Sequence, residues 1–181
     1  MTEQPTDVLS FWFDEIDPKM HWRKDPTFDQ QIARRFKTVY ALAAAGELAH
    51  WRSDSPGRLA EILLLDQFPR NMFRSTNAAF ATDALALELA QAAVRGQHDR
   101  ELPQAQRKFF YMPFMHSESI AVHDDARALF DALGDQATSS SAARHYAVLK
   151  QFGRYPHRNS ILGRRSTLAE QAFLAQPGSH F

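Results

Sequence analysis

The chain has 181 residues, 44% of them hydrophobic and 23% charged, with 21 basic residues balanced by 21 acidic ones and no cysteine. That length is read as one helical domain over residues 1–181, large enough to bury roughly 70% of the unfolded chain's surface without disulfides or a structural metal. Zero cysteines exclude thiol catalysis and thiolate metal sites, and a formal net charge of zero argues against a protein built mainly to hold nucleic acid or an anionic membrane. The longest aliphatic run, Ile62 to Leu65, is far too short to span a bilayer, and the early residues Glu3, Asp7, Asp14 and Glu15 leave no room for a secretory leader. The expected compartment is the cytoplasm.

Helix signals follow one another along the chain and strand signals are almost absent. A short helix is expected around Val8 to Phe13. Asp25 with Pro26 then reads as a cap and first turn, and Phe28, Ile32, Phe36, Val39, Tyr40 and Ala43 mark one face until Gly46. Ser55 and Pro56 open a central helix that Pro69 is expected to end, since proline disfavours a helical residue before it. Thr82 reads as the cap of a helix closed by Gly96. Pro103 opens another, expected to stop before Pro113. Ser117 is expected to cap the next, closed by Gly134, and the serines at 139–141 to start one that runs to Gly153. Thr167 and Glu170 have capping-box spacing ahead of the last helix. The reading is an all-α antiparallel bundle of about eight helices.

Three segments are richer in polar chemistry than helix building requires: Asp66-Gln67-Phe68-Pro69-Arg70-Asn71, His116-Ser117-Glu118, and Gly153-Arg154-Tyr155-Pro156-His157-Arg158-Asn159. If helices alternate up and down, all of them fall at one end, together with the loop around His21 and Trp22. The charges counted there are Arg70, Arg74, Arg154, Arg158, Arg164 and Arg165 against Asp66 and Glu118, an excess of arginine suited to bidentate carboxylate or phosphate binding. Asp66, near an expected helix C-terminus, meets the negative end of the helix dipole and needs a local partner, for which Arg70, Arg154, Arg158 or a ligand would serve.

A metal site is disfavoured, because His116 and Glu118 are two apart and no His-Glu-x-x-His pair occurs. Ser117 lacks the elbow of a serine nucleophile. What remains is acid–base work by His116 or His157 paired with Glu118 or Asp66, on a small anion held by Gln67, Arg70, Asn71, Arg154, Arg158 and Asn159, with no cofactor implied. The plain alternative is that these groups satisfy helix ends and stitch long loops to the bundle. His145, on an apolar stripe, reads as a hydrogen-bonded core residue. The stretches Phe11-Trp12-Phe13 and Phe109-Phe110-Tyr111 read as core contacts.

At the same segments the chain resembles a bacterial family, domain of unknown function family 924. The matching strings are Phe11-Trp12-Phe13, Leu63 to Asn71, Tyr111 to Glu118, and Phe152 to Asn159 with Leu162-Gly163-Arg164. The resemblance implies a tetratricopeptide-like all-helical fold and no particular activity. A tetratricopeptide-like fold would also suit a module that holds a protein or peptide in a groove, so a peptide partner stands beside the small anion as an expectation.

Overall fold

A computed structural model describes residues 3–179, and among them the chain forms helices, turns and loops without a strand. In chain order the α-helices are α1 (Pro5–Ser10), α2 (Pro26–Ala44), α3 (Ser55–Ile62), α4 (Phe68–Met72), α5 (Asp83–Arg95), α6 (Gln104–His116), α7 (Ile120–Leu133), α8 (Gln136–Phe152) and α9 (Leu168–Leu174). A π-helical turn over Leu63–Gln67 joins α3 to α4 without a break, so the two make one rod and the described chain has eight rods. Consecutive helices α5 to α8 pack side by side, while α1 lies on α3 and α2 on α4. No helix among the described residues is long and apolar enough to cross a membrane.

Both prolines expected to end helices are carried inside them. Proline withholds one N–H and crowds the preceding turn, and a wider turn removes the crowding. Ahead of Pro69 the π-turn supplies that width, with the Phe68 N–H donating to Leu63 O, five residues back. The Leu65 carbonyl, which Pro69 cannot serve, accepts from the Thr82 hydroxyl at 2.6 Å. Thr82 therefore sits at the N-cap of α5 but does not cap it with its side chain. Pro113 likewise lies within α6, which continues to His116 and makes Ser117 its C-cap. Ser119, not Ser117, occupies the N-cap of α7.

Other starts follow the expected chemistry at shifted positions. Asp25 caps α2 through the N–H groups of Thr27 and Phe28. Asp54, not Ser55, caps α3, and Asp135, not the serine cluster, caps α8 by accepting from Ala137 and Thr138. The α8 start moves forward because Gly134, at a φ of 72°, ends α7 in the left-handed region and hands an extended residue to Asp135. The capping box of Thr167 and Glu170 forms.

The core is aromatic. The first helix ends sooner than expected, at Ser10, and a second π-turn over Phe11–Glu15 turns Phe11 and Trp12 inward. Phe11 meets Phe36 at 4.9 Å between ring centroids, Phe36 meets Phe68 at 4.8 Å, and Trp12 meets Phe68 at 5.3 Å and Phe109 at 5.9 Å. These rings are fully buried, as the core reading of both aromatic stretches expects. A separate small cluster of Val148, Leu149 and Tyr155, with Phe152 and Phe173 against it, lies outside that core.

Candidate functional site

The π-turn that accommodates Pro69 also places Asp66 and Gln67 where both are buried. One oxygen of Asp66 lies 2.7 Å from His116 Nδ1 and 3.4 Å from Arg70 Nη1, and the other accepts from the Gln67 amide. Burial alone would push the Asp66 carboxyl up, but the Arg70 guanidinium and His116 outweigh it and hold the group at about 2. His116 is pushed below its ordinary value, first by burial and then by Arg70, against the pull of Asp66. At neutral pH Asp66 is thus an anion and His116 a neutral imidazole that donates Nδ1–H to it. The other nitrogen, Nε2, takes no hydrogen bond among the described residues and stays an acceptor.

Around this pair sits a shared ion network. Arg70 grips Asp83, in the first turn of α5, with two bonds of 2.9 and 3.0 Å. Arg158, from the segment after α8, reaches the same carboxylate at 3.1 Å and gives its other end to His116 O at 3.0 Å. Phe80 lies under both guanidiniums, 5.7 Å from that of Arg70 and 4.6 Å from that of Arg158. The flat cation faces thereby gain a ring quadrupole where they lose water. Arg158 is the more buried, and burial followed by the neighbouring charge of Arg70 lowers its affinity for its proton.

His116-Ser117-Glu118 joins the third segment as well. Glu118 takes both ends of Arg164 at 2.7 and 2.9 Å and the Tyr155 N–H at 2.6 Å. Against the upward push of burial, these partners hold its carboxyl below the usual range. Tyr155 donates its hydroxyl to Met115 O at 2.6 Å, beside His123 Nε2 at 3.0 Å. So Asp66, Gln67, Arg70, His116, Glu118 and Arg158 are bound into one network through Asp83, Tyr155 and Arg164.

The remaining candidates face other partners. Asn71 donates to Asp29, which also holds Arg74. Arg154 pairs with Glu170 at 2.6 and 2.8 Å and donates to Arg165 O. Asn159 donates to Ser166, and His157 stacks on Tyr155 at 5.7 Å. His21 stacks on Trp12 at 4.4 Å and bonds its carbonyl, with Trp22 against Phe109. His145 is buried with Nδ1 on Ser141 O at 2.8 Å, the hydrogen-bonded core residue its stripe implied. A cleft of about 520 Å³ opens beside Arg154 and Phe152, away from the Asp66–His116 pair.

Asp29, Asp83 and Glu170 were absent from the charge count made on the sequence, and they change its meaning. Each sits in the first turn of a helix, where acids are ordinary, so nothing marked them as partners for arginines tens of residues away. With them counted, Arg70, Arg74, Arg154, Arg158 and Arg164 all have carboxylate partners. Among the described residues no group of three or more histidines and acids is placed to hold a metal ion.

Fold and site together define an all-helical protein in which a buried polar network ties three distant sequence segments to an aspartate–histidine pair. The chain belongs to the family described as bacterial protein of unknown function (DUF924), whose model matches residues 8–178. It is similar to the solved structure of a protein of unknown function from Agrobacterium tumefaciens, with 40% identity over 94% of this chain and 96% of that one and a TM-score of 0.90. No curated protein matches the chain.

Proposed function

We propose that this is a cytoplasmic enzyme that binds a small carboxylate- or phosphate-bearing molecule beside the Asp66–His116 pair and uses His116 as a general base. The observation that carries the reading is the pair itself: a buried carboxylate fixes Nδ1 of a neutral imidazole at 2.7 Å and leaves Nε2 with its lone pair free of protein partners. That is the state a base needs at neutral pH, with Asp66 as its orienting group. An anionic group on the substrate would approach Arg70 and Arg158 by sharing or displacing Asp83, whose carboxylate is partly exposed. Gln67 would keep Asp66 aimed, while Glu118, through Tyr155 and Arg164, would hold the third segment in place.

The test has two readouts. Inorganic phosphate or citrate, at 100 times its dissociation constant, should stabilise the wild type by about 2.7 kcal/mol in a thermal-shift titration and leave Arg158→Gln unmoved. Hydrolysis of p-nitrophenyl phosphate or acetate should fall by about 10²- to 10⁴-fold in His116→Asn. Failure of both anions to stabilise the wild type ends the binding reading, and a His116→Asn variant as active as the wild type ends the catalytic one.

A second reading, a tetratricopeptide-like module that docks a peptide, draws on the exposed side chains of Trp22 and Leu168, 60% and 84% accessible. It predicts that Trp22→Ala and Leu168→Ala abolish capture of a partner while anions bind nothing.

A further inference from the structure

The chain after Gly153 is an arm held to the bundle by polar contacts and by one small apolar cluster. Its own helix α9 packs on the turn Pro156–Arg158 of the same arm. Its apolar anchors are Tyr155, fully buried in the small cluster outside the main core, and Phe173, 5.2 Å from Phe152 of α8. Beside Val148 and Leu149, the Tyr155 ring faces imidazole and guanidinium groups. His145 of α8 meets it edge-on at 5.5 Å, His157 of the arm stacks on it at 5.7 Å, and the Arg158 guanidinium lies 4.9 Å over it. His123 of α7 contacts its hydroxyl at 3.0 Å. His116 of α6 and Arg70 lie behind, His116 near enough to act on both His123 and His145 and Arg70 near enough to act on Arg158. Among the described residues, the acids that act on this junction are Glu118, Asp83 and Asp124. Glu118 and Asp83 are already engaged by Arg164, Arg70 and Arg158.

We propose that the Tyr155 junction is an acid-triggered latch: protonation of His123 and His145 releases the arm from Gly153 to Ser179 and with it the Arg158 contact to His116. Closed, the junction favours neutral rings, since burial takes both imidazoles out of solvent and an added proton on either one faces the other imidazoles around Tyr155. Released, both imidazoles return to solvent and take up protons at their ordinary pKa. Burial accordingly pushes both His123 and His145 down in the closed form, His145 to about 3. The sign follows from linkage: the open form binds more protons below about pH 6.5, so acid favours it. At about pH 5 a histidine that titrates only in the open form raises the opening constant about 30-fold. Helices α2 and α3 contain no histidine and stay closed over the same range.

The arm's release stands apart from the proposed catalysis; only its consequence, baring the Asp66–His116 pair, rests on that reading. Hydrogen exchange of the full chain, corrected for intrinsic rates and followed from about pH 7.5 to about pH 5, reads the latch directly. Protection over 155–174 should fall at least about 30-fold while that of α2 and α3 holds. Unchanged arm protection at the lower pH, or simultaneous loss in the arm and α3, overturns the latch. His145→Gln should cut the acid response by about 30-fold. Should that variant misfold, Tyr155→Phe, which removes the hydroxyl from Met115 and His123, should open the arm about 10-fold at neutral pH, and an arm as protected as the wild type's again overturns the proposal. Phosphate stabilisation of the wild type, measured alongside, tests the ligand reading without bearing on the latch.

Discussion

The bundle from α1 to α6 and the arm after Gly153 differ in the kind of contact that dominates each. The first is closed by rings: Phe11, Trp12, Phe36, Phe68 and Phe109 touch one another with no exposed surface. The second is closed mainly by charge: Arg154 with Glu170, Arg158 with Asp83 and Arg164 with Glu118, beside a small cluster in which Tyr155 and Phe173 meet α8. Apolar burial is insensitive to pH and lost only when the whole surface is exposed. Buried ion pairs bring little net stability, because desolvation offsets attraction, but they are costly to break singly. The contrast implies a rigid body and a conditional appendage, and it places the Asp66–His116 pair at the seam between them.

That contrast can be broken at three depths. The largest effect is expected from Phe36→Ala, which empties the centre of the ring cluster without disturbing the helix propensity of α2; urea unfolding should show a loss of about 3–5 kcal/mol. A loss below about 1 kcal/mol would mean that the rings are loosely packed and the two regions differ less than argued. Next is Arg158→Met. It leaves Asp83 with Arg70 alone and His116 O without its donor, and should cost about 1.5–3 kcal/mol, felt as lost exchange protection in the arm before any in the core. If core and arm lose protection together, the arm is part of the rigid body. Smallest is Thr82→Val, which keeps the shape but orphans the Leu65 carbonyl at the π-turn; about 1–3 kcal/mol is expected by thermal unfolding, at the low end if water reaches the carbonyl. No change at all would mean that Thr82 is not what lets the rod continue through Pro69.

The helices themselves were legible because their signals are local. Asp25 before Pro26, Gly134 after Leu133 and Thr167 with Glu170 act within one turn, and the structure uses each as read. The starts that moved, from Ser55 to Asp54, from Ser117 to Ser119 and from the serines to Asp135, moved because several good capping residues stood in a row, and the preceding chain direction chose among them. Pro69 and Pro113 misled for a different reason. A proline's local cost is visible in sequence, whereas the π-turn and the Thr82 hydroxyl that relieve it at Pro69 come from the neighbouring turn and from a residue in another helix.

The site divides along the same line. The three polar segments stood out in the sequence, and so did the need of Asp66 for a partner, met here by Arg70 and His116 and not by Arg154 or Arg158. Asp83, Glu170 and Asp29 did not stand out, because an acid in a helix's first turn is accounted for by the dipole alone. Residues 13 to 75 positions apart along the chain had to be packed before those acids could be seen as arginine partners. Composition and periodicity determined an all-helical chain with an aromatic core, since burial and helix ends are decided within a few residues. Which carboxylate neutralises which arginine, and that four histidines gather around one tyrosine environment, only the tertiary structure decided, because charge pairing depends on distance in space and sequence spacing does not encode it.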